Sequence, residues 1–360
     1  MPLRPGTCPL IGGPSPHPGE PCTLPSGAQS SPEGCSVRFG LRAGSVPLVI
    51  TALAGGVGAA RLLRGLVPAV GVGEVTAIVN TGDDAIVQGL HVSPDLDTVS
   101  YTLSGRSDDV RGWGLAGETW EVMDALEALG GETWFRLGDR DLATHLYRTQ
   151  RLAAGATLSE VTNELCTALG VPARLIPMSD DPVRTRLTLA EGPEVDFQDY
   201  FVRLQHQVPV SSVRFAGSHT AVAAPGVIHA IETAEAVVIC PSNPIVSVGP
   251  ILSVAGIEDA VKSRRSNVVA ISPIVAGAAL KGPADHLMSE LGHEPSVVGV
   301  ARIYAEIAGT LVIDEADASL AKEVEGLGMR CIVKPTVMAD HQLAVDLATS
   351  AVRAATSQAT

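Results

Sequence analysis

The sequence is poor in the features that would make its function plain. Its six cysteines form no CxxC pair and show no metal-ligand spacing, so neither a cysteine-held metal nor a disulfide framework has support. Cys8, Cys22 and Cys35 fall in the opening stretch, whereas Cys166, Cys240 and Cys331 stand in apolar contexts and read as buried, reduced thiols of a cytoplasmic protein. No uninterrupted apolar run reaches the roughly eighteen residues of a membrane span. Basic residues are outnumbered, with 25 Lys and Arg against 39 Asp and Glu, a net charge of -14 and a pI near 5.0. A nucleic-acid groove, which needs clustered Lys and Arg, is therefore not expected. An anionic small ligand is not excluded, because charges beyond a Debye length of about 8 Å are largely screened and local donors decide such binding. Residues 1–46 are rich in Pro, Gly and Ser and lack the apolar core of a signal peptide and a twin arginine, so they read as a disordered tail. No internal repeat is apparent.

What is present begins with Leu53-Ala54-Gly55-Gly56-Val57-Gly58-Ala59-Ala60-Arg61, a glycine-rich turn between an apolar run and a helix-like segment over 59–66. Strand, glycines and helix in that order make a phosphate cradle: the first amides of a helix lack partners, the helix dipole adds positive charge, and glycine allows close approach. A P-loop would need Gly-Lys-Ser/Thr where Gly58-Ala59-Ala60 stands. A dinucleotide fingerprint would need its third glycine where Arg61 stands. Simple NTP hydrolysis and an NAD-dependent oxidoreductase are both disfavoured. A tight βα connection with no ligand is the plain alternative.

From Pro47 onward, short Val/Ile-rich runs alternate with helical patterns: 47–53, 75–80, 236–240, 267–271 and 310–313. This predicts an α/β fold, a doubly wound and mostly parallel sheet with helices on both faces. At 360 residues the chain exceeds the usual single-domain length, yet one large α/β core can hold it. Ligands of such sheets bind outside the carboxyl ends of strands. The turns at Gly55–Gly58, Asn80–Asp84, Pro241–Pro244 and Ser272-Pro273 are therefore expected to converge on one crevice. Over about 139–225 the pattern changes. A helix over 141–154, a capping box at Thr157-Leu158-Ser159-Glu160 opening a second helix, and a hairpin from 185–189 and 195–198 read together as an insertion covering the crevice.

Several polar clusters bear on chemistry. Asn80-Thr81-Gly82-Asp83-Asp84 follows the second strand, and Ser93-Pro94-Asp95-Leu96-Asp97 opens a helix with Ser93 as N-cap and Pro94 at the first position. Asp95 is open between a functional role and simple complementing of the helix dipole in the first turn. Asp97, Asp83 and Asp84 are the candidate ligands of Mg²⁺, an ion that favours carboxylates together with phosphate oxygens and water. In Arg136-Leu137-Gly138-Asp139-Arg140-Asp141, followed by Thr144 and His145, either Arg136 or Arg140 grips an anion oriented by Asp139 or Asp141, or the acids cap a helix. Asp180 and Asp181 lie in a third cluster, Met178 to Arg184, for which a surface turn is the default. Pro241-Ser242-Asn243-Pro244 fixes two hydrogen-bonding side chains after a buried strand, suited to base or ribose recognition by Ser242 and Asn243. Lys281 adds a candidate phosphate-facing lysine.

Taken in order, Gly55–Gly58, Asn80–Asp84, Ser93–Val99, Leu137–His145, Pro177–Pro182 and Pro241–Pro244 resemble the 2-phospho-L-lactate transferase family (CofD/FbiA) of deazaflavin coenzyme biosynthesis, over roughly residues 47–350. The resemblance implies a Rossmann-like transferase domain over 47–350 and a tail over 351–360. It implies transfer of a phospholactyl or phosphoenolpyruvyl group from a guanosine-diphosphate-activated donor to the ribityl hydroxyl of 7,8-didemethyl-8-hydroxy-5-deazariboflavin, with release of GMP and assistance from Mg²⁺. Carried onto this sequence, Asp97 matches the aspartate of the deazaflavin and metal region and is the candidate catalytic residue. Arg136 falls at a basic position near the acceptor. Gly55, Gly56, Val57, Gly58, Ser242 and Asn243 match the guanine-nucleotide side. A homodimer and small-molecule partners are expected, with no nucleic acid and no membrane. The rival readings are a sugar-nucleotide-binding regulator of the same fold, and the NAD-dependent oxidoreductase disfavoured by Arg61.

Overall fold

The structure is a computed structural model and describes residues 48–357; the tail expected over 1–46 lies outside the described residues. Short runs of Val, Ile, Leu and Ala, too short for helices and flanked by turns, form the strands of one parallel sheet. Along the chain these are β1 (Ile50–Ala54), β2 (Val75–Val79), β3 (Arg174–Pro177), β4 (Ala236–Ile239), β5 (Val268–Ile271), β6 (Thr310–Ile313) and β7 (Arg330–Val333). They lie in the order β7-β6-β5-β4-β1-β2-β3, and every pairing is parallel. Alternate side chains serve opposite faces. Ala52, Val79, Val238, Ile271 and Val312 enter one core, and Leu53, Ile78, Ile239, Ala270 and Ile313 enter the other.

All five strands expected from the Val/Ile-rich runs are present, and β3 and β7 join them as the edges. An edge strand buries less and tolerates proline, which suits Pro177 in β3 and the polar start of β7. The helices that matter to the site are α1 (Gly56–Val70), α2 (Pro94–Leu103), α3 (Glu121–Ala128), α4 (Asp141–Ala153) and α5 (Leu158–Leu169). Alpha1 packs on the helix His341–Thr356 so closely that a Cβ on Gly65 would lie 2.4 Å from the main chain of Ala344.

Two expected boundaries are corrected. The stretch 139–225 is not one insertion: α5, opened by the predicted capping box, crosses over to β3, which pairs with β2. The reason is that Leu175 and Ile176 continue the apolar sheet. What remains inserted is the α2–α4 region and a three-stranded antiparallel sheet, in which Arg184–Leu189 pairs with Glu194–Asp196, as predicted, and also with Val210–Ala216. The expected tail at 351–360 is instead, up to Thr356, the end of the helix His341–Thr356, held because Ala351, Val352 and Ala355 are buried against the sheet.

Candidate active site

The strand order reverses between β1 and β4, and such a switch point opens a crevice at the carboxyl ends of the two strands. Both flanking turns are there. Ser242, after β4, accepts the Gly55 N–H at 3.2 Å and donates its hydroxyl to the Gly55 carbonyl at 2.8 Å. Gly58 packs on the same turn, where a Cβ would lie 2.3 Å from the Pro241 carbonyl oxygen. The glycine turn is thus built for close approach of backbone to backbone. Of the first amides of α1, Gly55 is taken by Ser242 and Gly56 by Asp95, at 2.8 Å. Those of Val57 and Gly58 find no acceptor among the described residues, and both residues are partly exposed. Asn243 uses its carbonyl oxygen to cap the turn at Ile245 and Val246, while its amide nitrogen is buried without a partner.

The Asn80–Asp84 loop meets the same turn through Asp95. Asn80 donates to Asp95 at 2.9 Å and accepts from the Gly82 amide at 2.8 Å. Asp95 therefore ties β1, β2 and α2 together, a stronger role than the dipole alone assigns it. Ser93 does stand before α2 with Pro94 at its first position, but its hydroxyl goes to Asp84 at 2.8 Å and makes no cap. Asp83 Oδ1 and Asp84 Oδ1 are buried with no hydrogen-bond partner, as are the hydroxyls of Thr81 and Thr185. Burial pushes the Asp83 carboxyl well above its ordinary value, with Asp95 adding to the effect. Burial likewise pushes Asp84 up to about 7 and Asp95 to about 6. Crowded carboxylates with orphaned oxygens fit a divalent cation of the Mg²⁺ type, whose charge would offset theirs. Asp83 and Asp84 would hold it.

Asp97 has different neighbours. Two residues along α2 from Asp95, it turns away and pairs with Arg148 on α4, whose guanidinium reaches both carboxylate oxygens. Arg148 is 2% exposed, and Asp97 outweighs the burial that would otherwise weaken its charge. His145 and Asp141 complete this group: His145 Nε2 stands 3.2 Å from Asp141, and Tyr101 donates to Asp141 at 2.6 Å. Burial opposes charge on Asp141, yet bonds from His145 and Tyr101 hold its carboxyl below the ordinary value. Asp97, Asp141 and His145 each offer an atom within 4.8 Å of the others and could hold a metal ion. The Arg148 charge lies against the same Asp97 oxygens and opposes a cation there. The structure groups Asp97 with Asp141 and His145, and its charge and that of Arg148 still act on Asp84. The sequence signal for the group is the spacing of Asp141, His145 and Arg148, one face of a helix.

The outer motifs form reciprocal caps. Asp139 accepts from the amides of Glu121 and Val122 at the start of α3, and Glu118 accepts from Arg140 and Asp141 at the start of α4. Arg140 donates to the Ala116 carbonyl. Asp180 holds the Ser159 amide and hydroxyl, and Asp181 the Val222 amide. Arg136 is exposed, pairs with Asp124 at 2.8 Å and lies over Trp120. Lys281 is exposed and sits against Gly112. An open cavity of about 410 Å³ lies beside the Pro241–Pro244 turn, among Ser212, Phe215, Pro244, Ile245, Leu291 and His293.

Sheet order, glycine turn and buried acids define a doubly wound α/β protein with a crevice of open helix amides and buried acids at its switch point. The chain belongs to the family of 2-phospho-L-lactate transferase CofD, whose model matches residues 50–351. A phosphoenolpyruvate transferase of Kitasatospora aureofaciens is 45% identical over 308 residues, covering 84% of this chain and 96% of that protein. One from Streptomyces griseus is 43% identical, covering 85% and 98%, and one from Mycolicibacterium smegmatis is 41% identical, covering 81% and 94%. A solved structure from Bacillus halodurans matches with a TM-score of 0.54 at 18% identity, covering 81% of this chain and 93% of that chain. At that identity it speaks for the fold. The chain is an enzyme of the transferase class, a family assignment that sets the oxidoreductase reading aside.

Proposed function

We propose that this enzyme transfers a phosphoenolpyruvyl group from a guanosine-diphosphate-activated donor to the ribityl hydroxyl of 7,8-didemethyl-8-hydroxy-5-deazariboflavin, releasing GMP, in deazaflavin coenzyme biosynthesis. The observation that carries this reading is that Asp95 joins the turn bearing the open Val57 and Gly58 amides to the Asn80–Asp84 loop, where Asp83 and Asp84 each keep a buried carboxylate oxygen without a partner. The names of the relatives favour an enolpyruvyl over a lactyl donor.

In this reaction the acceptor oxygen forms a bond to the distal phosphorus as the bond to the GMP oxygen breaks, and the acceptor's proton passes to a carboxylate of the Asp83, Asp84 and Asp95 group. Such a transfer asks the protein for in-line positioning and for charge stabilisation. The Val57 and Gly58 amides, at the positive end of α1, receive phosphate oxygen. Ser242 and Asp95 fix that turn from two sides, so the amides need little reorganisation. A bound Mg²⁺ would supply neutralisation of the diphosphate charge. Asp97, bound through both oxygens to Arg148 on α4, steadies α2, the helix that carries Asp95 to the Gly56 amide. The unpaired Cys166 and Cys240 support a reducing, cytoplasmic location.

The test is incubation of the purified protein with the deazaflavin, Mg²⁺ and each guanylylated three-carbon acid, with mass analysis of products. The expected result is the enolpyruvyl phosphodiester of the acceptor with one GMP formed per product. Absence of any acceptor adduct with every donor would overturn the reading.

A further inference from the structure

Flat side chains are few in this chain, and they are gathered. Aromatic residues make up 3% of the sequence, and all three tryptophans, Trp113, Trp120 and Trp134, fall in the inserted region between α2 and α4. Three aromatic side chains are exposed among the described residues: Trp113 at 45%, Tyr147, and Phe201 at 36%. Tyr147 donates its hydroxyl to Glu164 at 2.9 Å. The other two converge on one place.

Trp113 is held firmly while its ring stays half open. The Arg111 guanidinium lies 5.4 Å from its ring centre and 5.2 Å from that of Trp120, and the two indoles meet edge to face at 6.0 Å. Arg111 is itself fixed by Asp108 at 3.1 Å and by the Leu115 carbonyl at 2.7 Å. Trp120 borders the small core of Val87, Val92, Met123 and Leu137, built on the hairpin that leaves the acid loop. An aromatic ring positioned in advance loses little freedom when a ligand covers it.

Close contacts lead from this indole to the acids. A Cβ on Gly112 would lie 2.5 Å from the Lys281 ammonium, and one on Gly282 would lie 4.0 Å from the Phe201 ring. Lys281 follows β5, at the edge of the sheet where the crevice opens. Phe201 stacks on Phe197 at 5.5 Å, and Gln198, next in the chain, donates to the Asp83 carbonyl at 2.9 Å. The acid loop is thus tied to the glycine turn at Asn80, through Asp95, and to the aromatic rim at Asp83. In-line transfer sets the entering hydroxyl and the leaving phosphate on opposite sides of the phosphorus. With the nucleotide at the glycine turn, the rim is the side left for the acceptor.

On the transfer reaction proposed above, on which this inference rests, we propose that Trp113 is the platform on which the fused ring of the deazaflavin stacks. The exposed edge of Phe201 forms the far wall, and the Lys281 ammonium receives an oxygen of the ring. A fused conjugated ring covers an indole face well and gains from the contact beyond the area it buries. Lys281 is exposed and is engaged by no hydrogen bond or ion pair among the described residues, so it is free to meet the polar edge of that ring.

The experiment compares wild type, Trp113→Ala, Trp113→Phe and Lys281→Gln. Calorimetry in the presence of GDP and Mg²⁺ gives the affinity for the deazaflavin, a separate titration gives the affinity for GDP with Mg²⁺, and steady-state kinetics give KM for each substrate. The expected result for Trp113→Ala is a deazaflavin affinity weakened about 10–100-fold, with a matching rise in acceptor KM. Trp113→Phe should recover most of it, Lys281→Gln should show a smaller loss, and donor KM and GDP affinity should stay within twofold of wild type throughout. Deazaflavin affinity within twofold of wild type in Trp113→Ala would overturn the proposal. So would equal weakening of GDP, which would make the indole a platform for guanine, or a change of oligomeric state with acceptor affinity kept, which would mean that a second copy covers it. Trp113→Phe keeps a ring in place and preserves the comparison where Trp113→Ala folds poorly. A wild type that neither binds the deazaflavin nor forms an adduct would defeat the transfer reading and this inference with it, whereas an active wild type matched by Trp113→Ala would defeat the inference alone.

Discussion

Asp84→Asn is expected to reduce turnover by about 10²–10³-fold, the size of effect seen when one preorganised group that meets developing charge is removed. The amide keeps the shape of the side chain and its bond from Ser93. It removes the carboxylate charge that would hold a cation against the diphosphate. The unliganded variant is expected to melt no lower than wild type, because burial disfavours the Asp84 charge in the folded protein and the amide carries none. Mg²⁺ with GDP should raise the melting temperature of wild type and leave that of Asp84→Asn nearly unchanged. Steady-state turnover together with thermal melting checks both statements. A variant with near-normal turnover that still responds to Mg²⁺ would show that Asp84 does not serve the metal.

The second large effect is on stability. Arg148→Met leaves Asp97 buried and without its counter-charge, and breaking a buried pair from one side costs about 3–5 kcal/mol. Equilibrium denaturation should show that loss. Adding Asp97→Leu to Arg148→Met should recover part of it, since a buried pair replaced by apolar groups is often neutral in stability. The double variant is nevertheless expected to be a poor enzyme, because α2 also carries Asp95 to the Gly56 amide. Loss of stability below about 1 kcal/mol in the single variant would show that the pair is solvated and not the buried lock described here.

Much of the fold was legible because its central strands are buried on both faces, so that Val and Ile runs of four or five residues stand out between helices. Beta3 and β7 were less visible. Each has only one sheet neighbour and carries polar residues or proline, so its apolar signal is weak. The glycine turn, the Asn80–Asp84 loop and the Pro241–Asn243 turn could be placed in one crevice from sequence, since each follows a central strand.

What each side chain does there was harder to read. Asp95 and Asp97 are two residues apart on a helix, roughly 200° around its axis, and they face opposite ways. Only the packing of α2 shows that Asp95 reaches the glycine turn while Asp97 meets Arg148. Asp139, Asp180 and Asp181 illustrate a second limit. The sequence leaves Asp139 open between orienting an anion and capping a helix and gives Asp180 and Asp181 a surface turn by default, and the amides they cap come from distant stretches of chain, at Glu121, Ser159 and Val222.

The proposed function stands or falls on whether the turns following β1, β2 and β4 together seat a guanylylated diphosphate beside a cation. A crystal structure of the protein with GDP and Mg²⁺ decides this most directly. The diphosphate is expected at the amides of Val57 and Gly58, with the cation on Asp83 or Asp84. A nucleotide bound instead in the cavity between Phe215 and His293, with the Gly56–Gly58 turn empty, would contradict it.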